Sequence, residues 1–429
     1  MHRVFIRNFG CRAAQADGAA IEGLLEGRGM EVSSAAEADL VILNTCTVTS
    51  EADGDVRKSI NRVRRENPEA RILVTGCYAQ RAPNELSQMP GVTWVVGNSH
   101  KTKIPEILDS HYHGQIHVGD ILQTSEFLSS PVADAFGGRT RPNLKIQDGC
   151  SNVCSFCIIP SVRGMSRSMP VVQAIDQVRG LARNYREIVL TGINLGRWGR
   201  ERGFQPDHRM RLADLLRKLL NETEIARLRL SSIEPMDLSG DLLELMASEP
   251  RIAKHIHAPL QSGSDTVLKR MKRRYRVRHY EDRIRLSFSL MPEAAYGADI
   301  MTGFPGETPE EFSQTIDFIE IMPFTYLHVF TYSERPGTPA AALPQVRLVE
   351  RKSRTRILRQ LAESKNLAYR QRQIGRTLSA VTMENGLALT ENYLQVQMAQ
   401  PRPANHLVDL RIGGLTANGL AEQTPFRLL

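Results

Sequence analysis

The sequence predicts an α/β protein in three parts: an N-terminal parallel α/β sheet domain, a central six-unit (βα) partial barrel, and a small C-terminal antiparallel β-barrel. Three observations carry this expectation. Strand-like and helix-like runs alternate up to about residue 109 and again from Leu144 to Thr331, the pattern of a parallel sheet with helices on its faces. Between the two series, residues 111–142 carry Gly114, Gly119, Ser125, Ser129-Ser130-Pro131 and Gly137-Gly138, and read as a linker or flap. After Gly375 the chain changes to short apolar runs separated by Glu384-Asn385-Gly386, Pro401-Arg402-Pro403 and Gly413-Gly414, as a small barrel of short strands requires. The expected domains are 1–112, 136–373 and 374–429.

Taken in order, the first series places strands at 4–9, 40–44, 72–75 and 93–96, with helices at 14–28, 51–66 and 101–109. The second places strands at 144–147, 187–191, 227–231, 255–258, 297–301 and 326–331. Helices fill the gaps at 171–184, 212–220, 238–247, 264–272, 278–289 and 309–321. Six β/α units fall short of the eight of a closed barrel, so a partial barrel is expected, with its chemistry at the carboxyl ends of the strands. A long basic helix follows at 343–373, then short strands at 378–383, 388–389, 393–398 and 407–412.

The chain of 429 residues has a formal net charge of +8, which permits a nucleic-acid partner. No apolar run approaches the roughly 20 residues of a membrane span, and Met1 to Arg7 reads as a first strand rather than a signal peptide. A cytoplasmic protein without a membrane partner is expected. Its six cysteines then suit metal binding or catalysis better than disulfides.

Three of them, Cys150, Cys154 and Cys157, lie in one C-x3-C-x2-C loop just after a predicted strand. Thiolates this close suit a soft metal centre, either an iron–sulfur cluster or zinc. A structural zinc takes four protein ligands, and no fourth thiol is local. A cubane held by three cysteines keeps one iron open to a small molecule. The other three, Cys11, Cys46 and Cys77, each sit just past a predicted strand. Ligands bind beyond the carboxyl ends of such strands, so these thiols can meet at one sheet edge and hold a second cluster. Three buried small residues would be the plain alternative.

The C-x3-C-x2-C loop on a six-unit barrel resembles the radical S-adenosylmethionine enzymes. In that likeness Cys150, Cys154 and Cys157 match the cluster ligands, and Phe156 the aromatic residue before the last cysteine. The open iron would chelate S-adenosylmethionine, whose reductive cleavage yields methionine and a 5′-deoxyadenosyl radical. Over nearly its whole length the chain resembles the methylthiotransferase branch. The resemblance rests on the three early cysteines and on Ile158-Ile159-Pro160 through Arg163-Gly164. It also rests on Leu190 to Asn194, Pro259 to Ser264, Asp299-Ile300 with Gly303 to Thr308, and Arg335 to Pro339. It implies two 4Fe-4S clusters, the second at Cys11, Cys46 and Cys77 taking part in sulfur delivery. It also implies a C-terminal TRAM-like module that contacts RNA or substrate. Asn44-Thr45-Cys46-Thr47-Val48-Thr49 with Ala52-Asp53 is most similar to enzymes acting on N6-threonylcarbamoyladenosine of tRNA, next to the anticodon. Ala14 departs from the family, which commonly shows Asn there.

The resemblance also implies cofactor contacts. Gly192 and Asn194 follow the second barrel strand, where backbone groups would meet the amino group of S-adenosylmethionine. Ser232 and Glu234 follow the third and would hold its ribose or ammonium, or form a solvated turn. Gln261 and Gly303 follow the fourth and fifth and would frame the adenine or the substrate base. Arg163 and Arg167 are candidates for the cofactor carboxylate or an RNA phosphate. The basic stretches 269–278 and 351–359 are candidates for RNA contact. His255 and His257 alternate on a strand and read as structural. No catalytic residue beyond the cluster ligands is assigned. The implied partners are tRNA, an electron donor and a sulfur source. The alternatives are a methylthiotransferase acting on isopentenyladenosine in tRNA or on a ribosomal-protein aspartate. From another class, a zinc-containing RNA-binding module remains open.

Overall fold

Leu40-Val41-Ile42-Leu43 is apolar without alternation, and every residue of its strand is buried, as a strand covered by helices on both faces requires. In the computed structural model, which describes residues 2–109, 114–124, 126–128, 140–201 and 210–424, this run lies inside a six-stranded sheet. Its strands are β1 (Arg3–Asn8), β2 (Glu31–Val32), β3 (Leu40–Thr45), β4 (Arg71–Gly76), β5 (Val92–Gly97) and β6 (Ile116–His117). Their order is β2-β1-β3-β4-β5-β6, and all pairs are parallel. Helices α1 (Arg12–Glu26), α2 (Ser50–Glu66) and α3 (Cys77–Arg81) follow β1, β3 and β4. Thr49 caps α2 by accepting from Ala52 N at 3.2 Å.

Part of the predicted linker is structured. Residues 116–117 add the edge strand β6, and Ile121–Gln123 form a 3-10 turn. Ser125 and 129–139 lie outside the described residues.

The central region contains β7 (Asn143–Asp148), β8 (Arg167–Ser168), β9 (Glu187–Gly192), β10 (Arg227–Leu230), β11 (His255–His257), β12 (Ala295–Thr302) and β13 (Tyr326–Thr331). They form two sheets, β10-β9-β7-β8 and β11-β12-β13, bridged in parallel by Leu228 and Ile252. The six predicted parallel strands are all present; only the two-residue β8 pairs antiparallel. Ile256, Ala298, Ile300 and Val329 belong to the core shared with the surrounding helices. Because side chains alternate across a strand, His257, Asp299 and His328 lie on the opposite, inner face.

The predicted basic helix spans Leu348–Gln371, and Arg351, Arg354 and Arg370 on it are buried. Beyond it, β14 (Thr377–Thr382), β15 (Leu387–Thr390), β16 (Gln395–Gln397), β17 (Leu407–Leu415) and β18 (Leu420–Glu422) close into a five-stranded barrel. It is antiparallel except where β16 pairs β18 in parallel. β18 has no counterpart among the predicted strands.

Two buried joints tie the regions together. At one, Asp17 of α1 accepts from Lys101 Nζ at 2.9 Å and Lys145 Nζ at 2.5 Å. Arg163 Nη2 donates to the same carboxylate at 3.0 Å and its Nη1 to Asp148 at 2.9 Å. At the other, Arg335 Nη1 donates to Asp53 Oδ2 at 2.7 Å and to Thr47 O at 3.0 Å. The C-terminal barrel docks through Arg229, which donates to the carbonyls of Thr390 and Glu391 at 2.9 and 3.0 Å.

Candidate active site

Each early cysteine leaves the carboxyl end of a strand of the first sheet, and glycine lets two of them approach their neighbours. Gly10 has φ +90°, and a Cβ there would lie 2.6 Å from Cys46 Cβ. Gly76 has φ +97°, and a Cβ there would lie 2.5 Å from the carbonyl oxygen of Thr45. Only glycine meets both demands. Cys11 is exposed, Cys46 half-buried and Cys77 buried. The Cys46 thiol is pushed up to about 12, first by burial and then by the Cys77 and Cys11 thiols facing it. A metal would have to displace its proton on binding.

The second triad sits on the loop after β7. Cys150 N donates to Gly164 O at 3.0 Å and Ser155 N to Met271 O at 3.0 Å, which pins the loop at both ends. Cys150 Sγ accepts from Asn152 N at 3.4 Å, Cys157 Sγ from Ile159 N at 3.5 Å, and Cys154 Sγ from Arg273 Nη1 at 3.3 Å. Burial pushes the Cys157 thiol up to about 12, and the Cys154 and Cys150 thiols raise it further. The loop that carries the second triad meets the first sheet here: Cys77 packs against Ile158 and Val162, just beyond Cys157.

The donor sets fit a cluster better than a single zinc ion. Tetrahedral zinc with Zn–S bonds of about 2.3 Å draws its sulfurs to roughly 3.8 Å from one another. Among the described residues, His257, Asp299 and His328 are the only three such side chains whose ligand atoms lie within 4.8 Å of one another. Neither cysteine triad closes that tightly.

The other predicted positions divide. Phe156 packs edge-on against Phe304, 6.5 Å between ring centroids, and steadies the loop. Gly192 ends β9, where a Cβ would lie 2.8 Å from Gln147 Oε1. Asn194 N donates to that same Oε1 at 2.6 Å, and its Nδ2 lies 3.8 Å from Cys150 Sγ. Its Oδ1 is buried without a partner. Ser232 Oγ is hydrogen-bonded to His257 Nδ1 at 2.6 Å. Glu234 is paired with Arg273. Gln261 holds φ +67° while bridged to Ile300. Gly303 gives its N–H to Glu307 at 2.7 Å, and a Cβ there would collide with Arg351. Close packing against Arg351 therefore requires glycine there, and its N–H is taken by Glu307.

The basic stretches are divided: Arg351 and Arg354 are buried and Arg270 and Arg273 half-buried, while Lys269, Lys272, Arg274, Arg276, Arg278, Lys352, Arg356 and Arg359 are exposed. Arg163 is 2% exposed and paired with Asp17 and Asp148. Arg167 donates to Thr124 O at 3.2 Å. Within 269–278, Arg270 pairs with Glu311 and Arg273 with Glu234. In the basic helix, Arg354 pairs with Glu307. These cations found carboxylates far along the chain, which a run of like charges cannot reveal.

The sequence reading did not anticipate the inner polar group of His257, Asp299 and His328. Asp299 Oδ1 lies 3.2 Å from both His257 Nε2 and His328 Nδ1. Burial raises the Asp299 carboxyl, but the two imidazoles outweigh it and hold it well below the usual range. The available signal was the two-residue spacing of His255 and His257 and of Tyr326 and His328, which puts each pair on one strand face.

Residues 3–97 match the uncharacterized protein family UPF0004, and residues 144–319 match the Radical SAM superfamily. The threonylcarbamoyladenosine tRNA methylthiotransferase MtaB of Aquifex aeolicus is 36% identical over 417 residues, covering 96% of this chain and all of the relative. The protein of the same name from Bacillus subtilis is 38% identical, over 86% of this chain and 81% of its own. The tRNA-2-methylthio-N(6)-dimethylallyladenosine synthase of Pelotomaculum thermopropionicum is 32% identical over 86% of this chain and 84% of its own. In fold, the chain is similar to the radical S-adenosylmethionine methyltransferase TsrM of Kitasatospora setae. The TM-score is 0.60 at 16% identity, over 80% of this chain and 75% of that one. With two cysteine triads and relatives matched from end to end, the chain belongs to the radical S-adenosylmethionine methylthiotransferase family, on the branch of the threonylcarbamoyladenosine tRNA methylthiotransferases.

Proposed function

We propose that this chain is a tRNA methylthiotransferase that replaces a base C–H of N6-threonylcarbamoyladenosine, next to the anticodon, by a methylthio group. The observation that carries the reading is the packing of Cys77 of the first triad against Ile158 and Val162, which directly follow the second. Cys150, Cys154 and Cys157 would hold one 4Fe-4S cluster with an iron left for S-adenosylmethionine. Cys11, Cys46 and Cys77 would hold a second. When bound, these groups supply the one-electron chemistry that opens the C–H bond and the sulfur and methyl that replace the hydrogen.

The chain's own residues bind, orient and shield. Asn194 Oδ1, buried and unpartnered beside Cys150, would accept from the ammonium of S-adenosylmethionine. Arg273 donates to Cys154 Sγ while Glu234 balances its charge. Ser232 holds the imidazole of His257 in place on the inner wall. Gln261 and Gly303 shape the mouth of the barrel, and Phe156 closes the wall behind the loop. The working division is 1–112 for the auxiliary cluster, 136–373 for the radical core and 374–429 as a TRAM-like module that meets tRNA. The chemistry requires an electron donor and a sulfur source. No helix among the described residues is long and apolar enough to cross a membrane, and a cytoplasmic location follows from the tRNA substrate.

Nucleoside mass spectrometry of tRNA from cells lacking the protein tests the reading. The methylthio form of threonylcarbamoyladenosine should vanish while the unthiolated base accumulates. An unchanged tRNA profile would overturn it. The anaerobically purified protein should carry iron and acid-labile sulfide sufficient for two four-iron clusters.

A further inference from the structure

We propose that the interior of the partial barrel contains a carboxylate-binding subsite, built by Arg12 and Tyr393, which receives the threonyl carboxylate of the substrate base. This rests on the substrate reading above. Arg12 follows Cys11 directly and opens α1. Its Nη2 donates to the hydroxyl of Tyr393 at 3.0 Å, and its guanidinium lies 5.9 Å from the centre of that ring. Its Nη1 is buried with no hydrogen-bond partner, and it makes no ion pair among the described residues. A guanidinium offers five donors in a fork that matches a carboxylate, so a buried donor left empty here lacks an anion.

The neighbouring cation differs. Arg229 lies 5.5 Å from the same ring, but its Nε and Nη2 hold Glu187 at 2.7 and 3.1 Å and its Nη1 holds Glu391 O. On the inner wall, Asp299 is flanked by His257 and His328. Burial keeps His255 neutral. Arg12 Nη1 is therefore a buried donor at this end of the barrel for which the described residues supply no acceptor.

Tyr393 is fixed to hold it there. Its φ is +65°, a conformation non-glycine residues adopt at a cost and which concentrates at functional sites. Tyr393 N donates to Thr390 O at 3.1 Å, and Leu394 N to Thr390 Oγ1 at 2.8 Å. Its ring stacks on His255 at 4.3 Å and lies 5.4 Å from Tyr326. The C-terminal barrel thus supplies one wall of the subsite, and the residue next to a cluster ligand supplies its charge. A base carrying a threonylcarbamoyl arm offers a carboxylate several bonds from the ring, whereas a dimethylallyl arm offers none.

The test uses the reconstituted two-cluster enzyme and two anticodon stem-loop RNAs, one with N6-threonylcarbamoyladenosine and one with its neutral carboxamide. The wild-type enzyme should prefer the acid by about 30-fold or more in kcat/KM, the scale of a charge-assisted bidentate contact. Arg12→Gln should bring the preference to within about threefold by slowing only the acid, and Arg12→Lys should restore part of it. Iron and sulfide content reports whether the neighbouring cluster survives. Should Arg12→Gln lose iron, Tyr393→Phe carries the same comparison away from the thiols, with an expected fall of about fivefold in the preference. An acid-over-amide ratio equal to wild type in both variants would overturn the subsite while leaving the substrate reading intact. Wild-type enzyme that thiolates neither RNA would overturn the substrate reading and the subsite with it.

Discussion

The two cysteine triads perform similar binding tasks with very different amounts of chain. Cys150, Cys154 and Cys157 lie within eight consecutive residues, on a loop pinned by Cys150 N to Gly164 O and Ser155 N to Met271 O. Cys11, Cys46 and Cys77 come from three strand ends and meet only when β1, β3 and β4 are in register, Asn8 beside Asn44 and Thr45 beside Gly76. The local triad depends on a few hydrogen bonds. The dispersed triad depends on a whole sheet and on two glycines that admit close backbone approach. The first can therefore be lost through its thiols alone, whereas the second can be lost through residues that touch no metal.

Removing one thiol of the local triad has the largest expected effect. Cys150→Ala should reduce both S-adenosylmethionine cleavage and thiolation at least about a thousandfold, because the open-iron cluster loses a ligand. Iron content should fall to about half, with the dispersed triad still loaded. Cleavage near the wild-type rate in this variant would break the assignment of the radical function to this loop.

A smaller and more selective effect is expected at Gly76→Ala. The added Cβ would meet the Thr45 backbone at 2.5 Å in a residue at φ +97°, a strain of about 1–3 kcal/mol placed between Cys46 and Cys77. Thiolation should fall about a hundredfold with loss of the second cluster's iron, while S-adenosylmethionine cleavage stays within about twofold. Equal loss of cleavage would mean that the two triads are not separable.

The same contrast explains what could be read from the sequence. A C-x3-C-x2-C loop carries its geometry in its spacing, and cysteines just past apolar runs carry theirs in the rule that strand ends share an edge. Strand placement was legible for the same reason: Leu40 to Leu43 and Leu144 to Gln147 are apolar or alternating runs of ordinary length. The two-residue strands β2, β6 and β8 are too short to leave a pattern, and the parallel pairing of β18 with β16 is a property of barrel closure. Charge was the least legible feature. Arg273 sits in a basic run that suggested RNA, yet it pairs with Glu234. Arg335 lies in Arg335-Pro336-Gly337-Thr338-Pro339, far from Asp53, which it holds. The motif around Thr47 and Asp53, read as a mark of substrate, is in structural terms the socket for Arg335.

The joint that sets one triad against the other gives the smallest of the three effects, and a pH signature. Asp17 on α1 binds Lys101 within its own domain and Lys145 and Arg163 of the central region. Burial raises its carboxyl, but Lys101, Lys145 and Arg163 outweigh it and hold it well below the ordinary value of 3.8. A depressed folded-state value means that the stabilisation is complete above the ordinary carboxylate range and is lost as pH falls toward the lowered value. Asp17→Asn leaves Lys101 without a carboxylate and Lys145 and Arg163 with Asp148 alone, at a cost of roughly 3 kcal/mol for breaking a buried ion pair. Both clusters should still load and S-adenosylmethionine should still be cleaved, but thiolation per cleavage should drop several-fold, because the two regions that carry the triads are no longer joined through Asp17. Wild-type protein should lose stability to urea below about pH 4, and the variant should lose less over the same range, because the other depressed carboxylates such as Asp299 remain. If the variant matches wild type in stability and in thiolation per cleavage, the joint is held by apolar packing such as that of Cys77 with Ile158 and Val162, and the charges only accompany it.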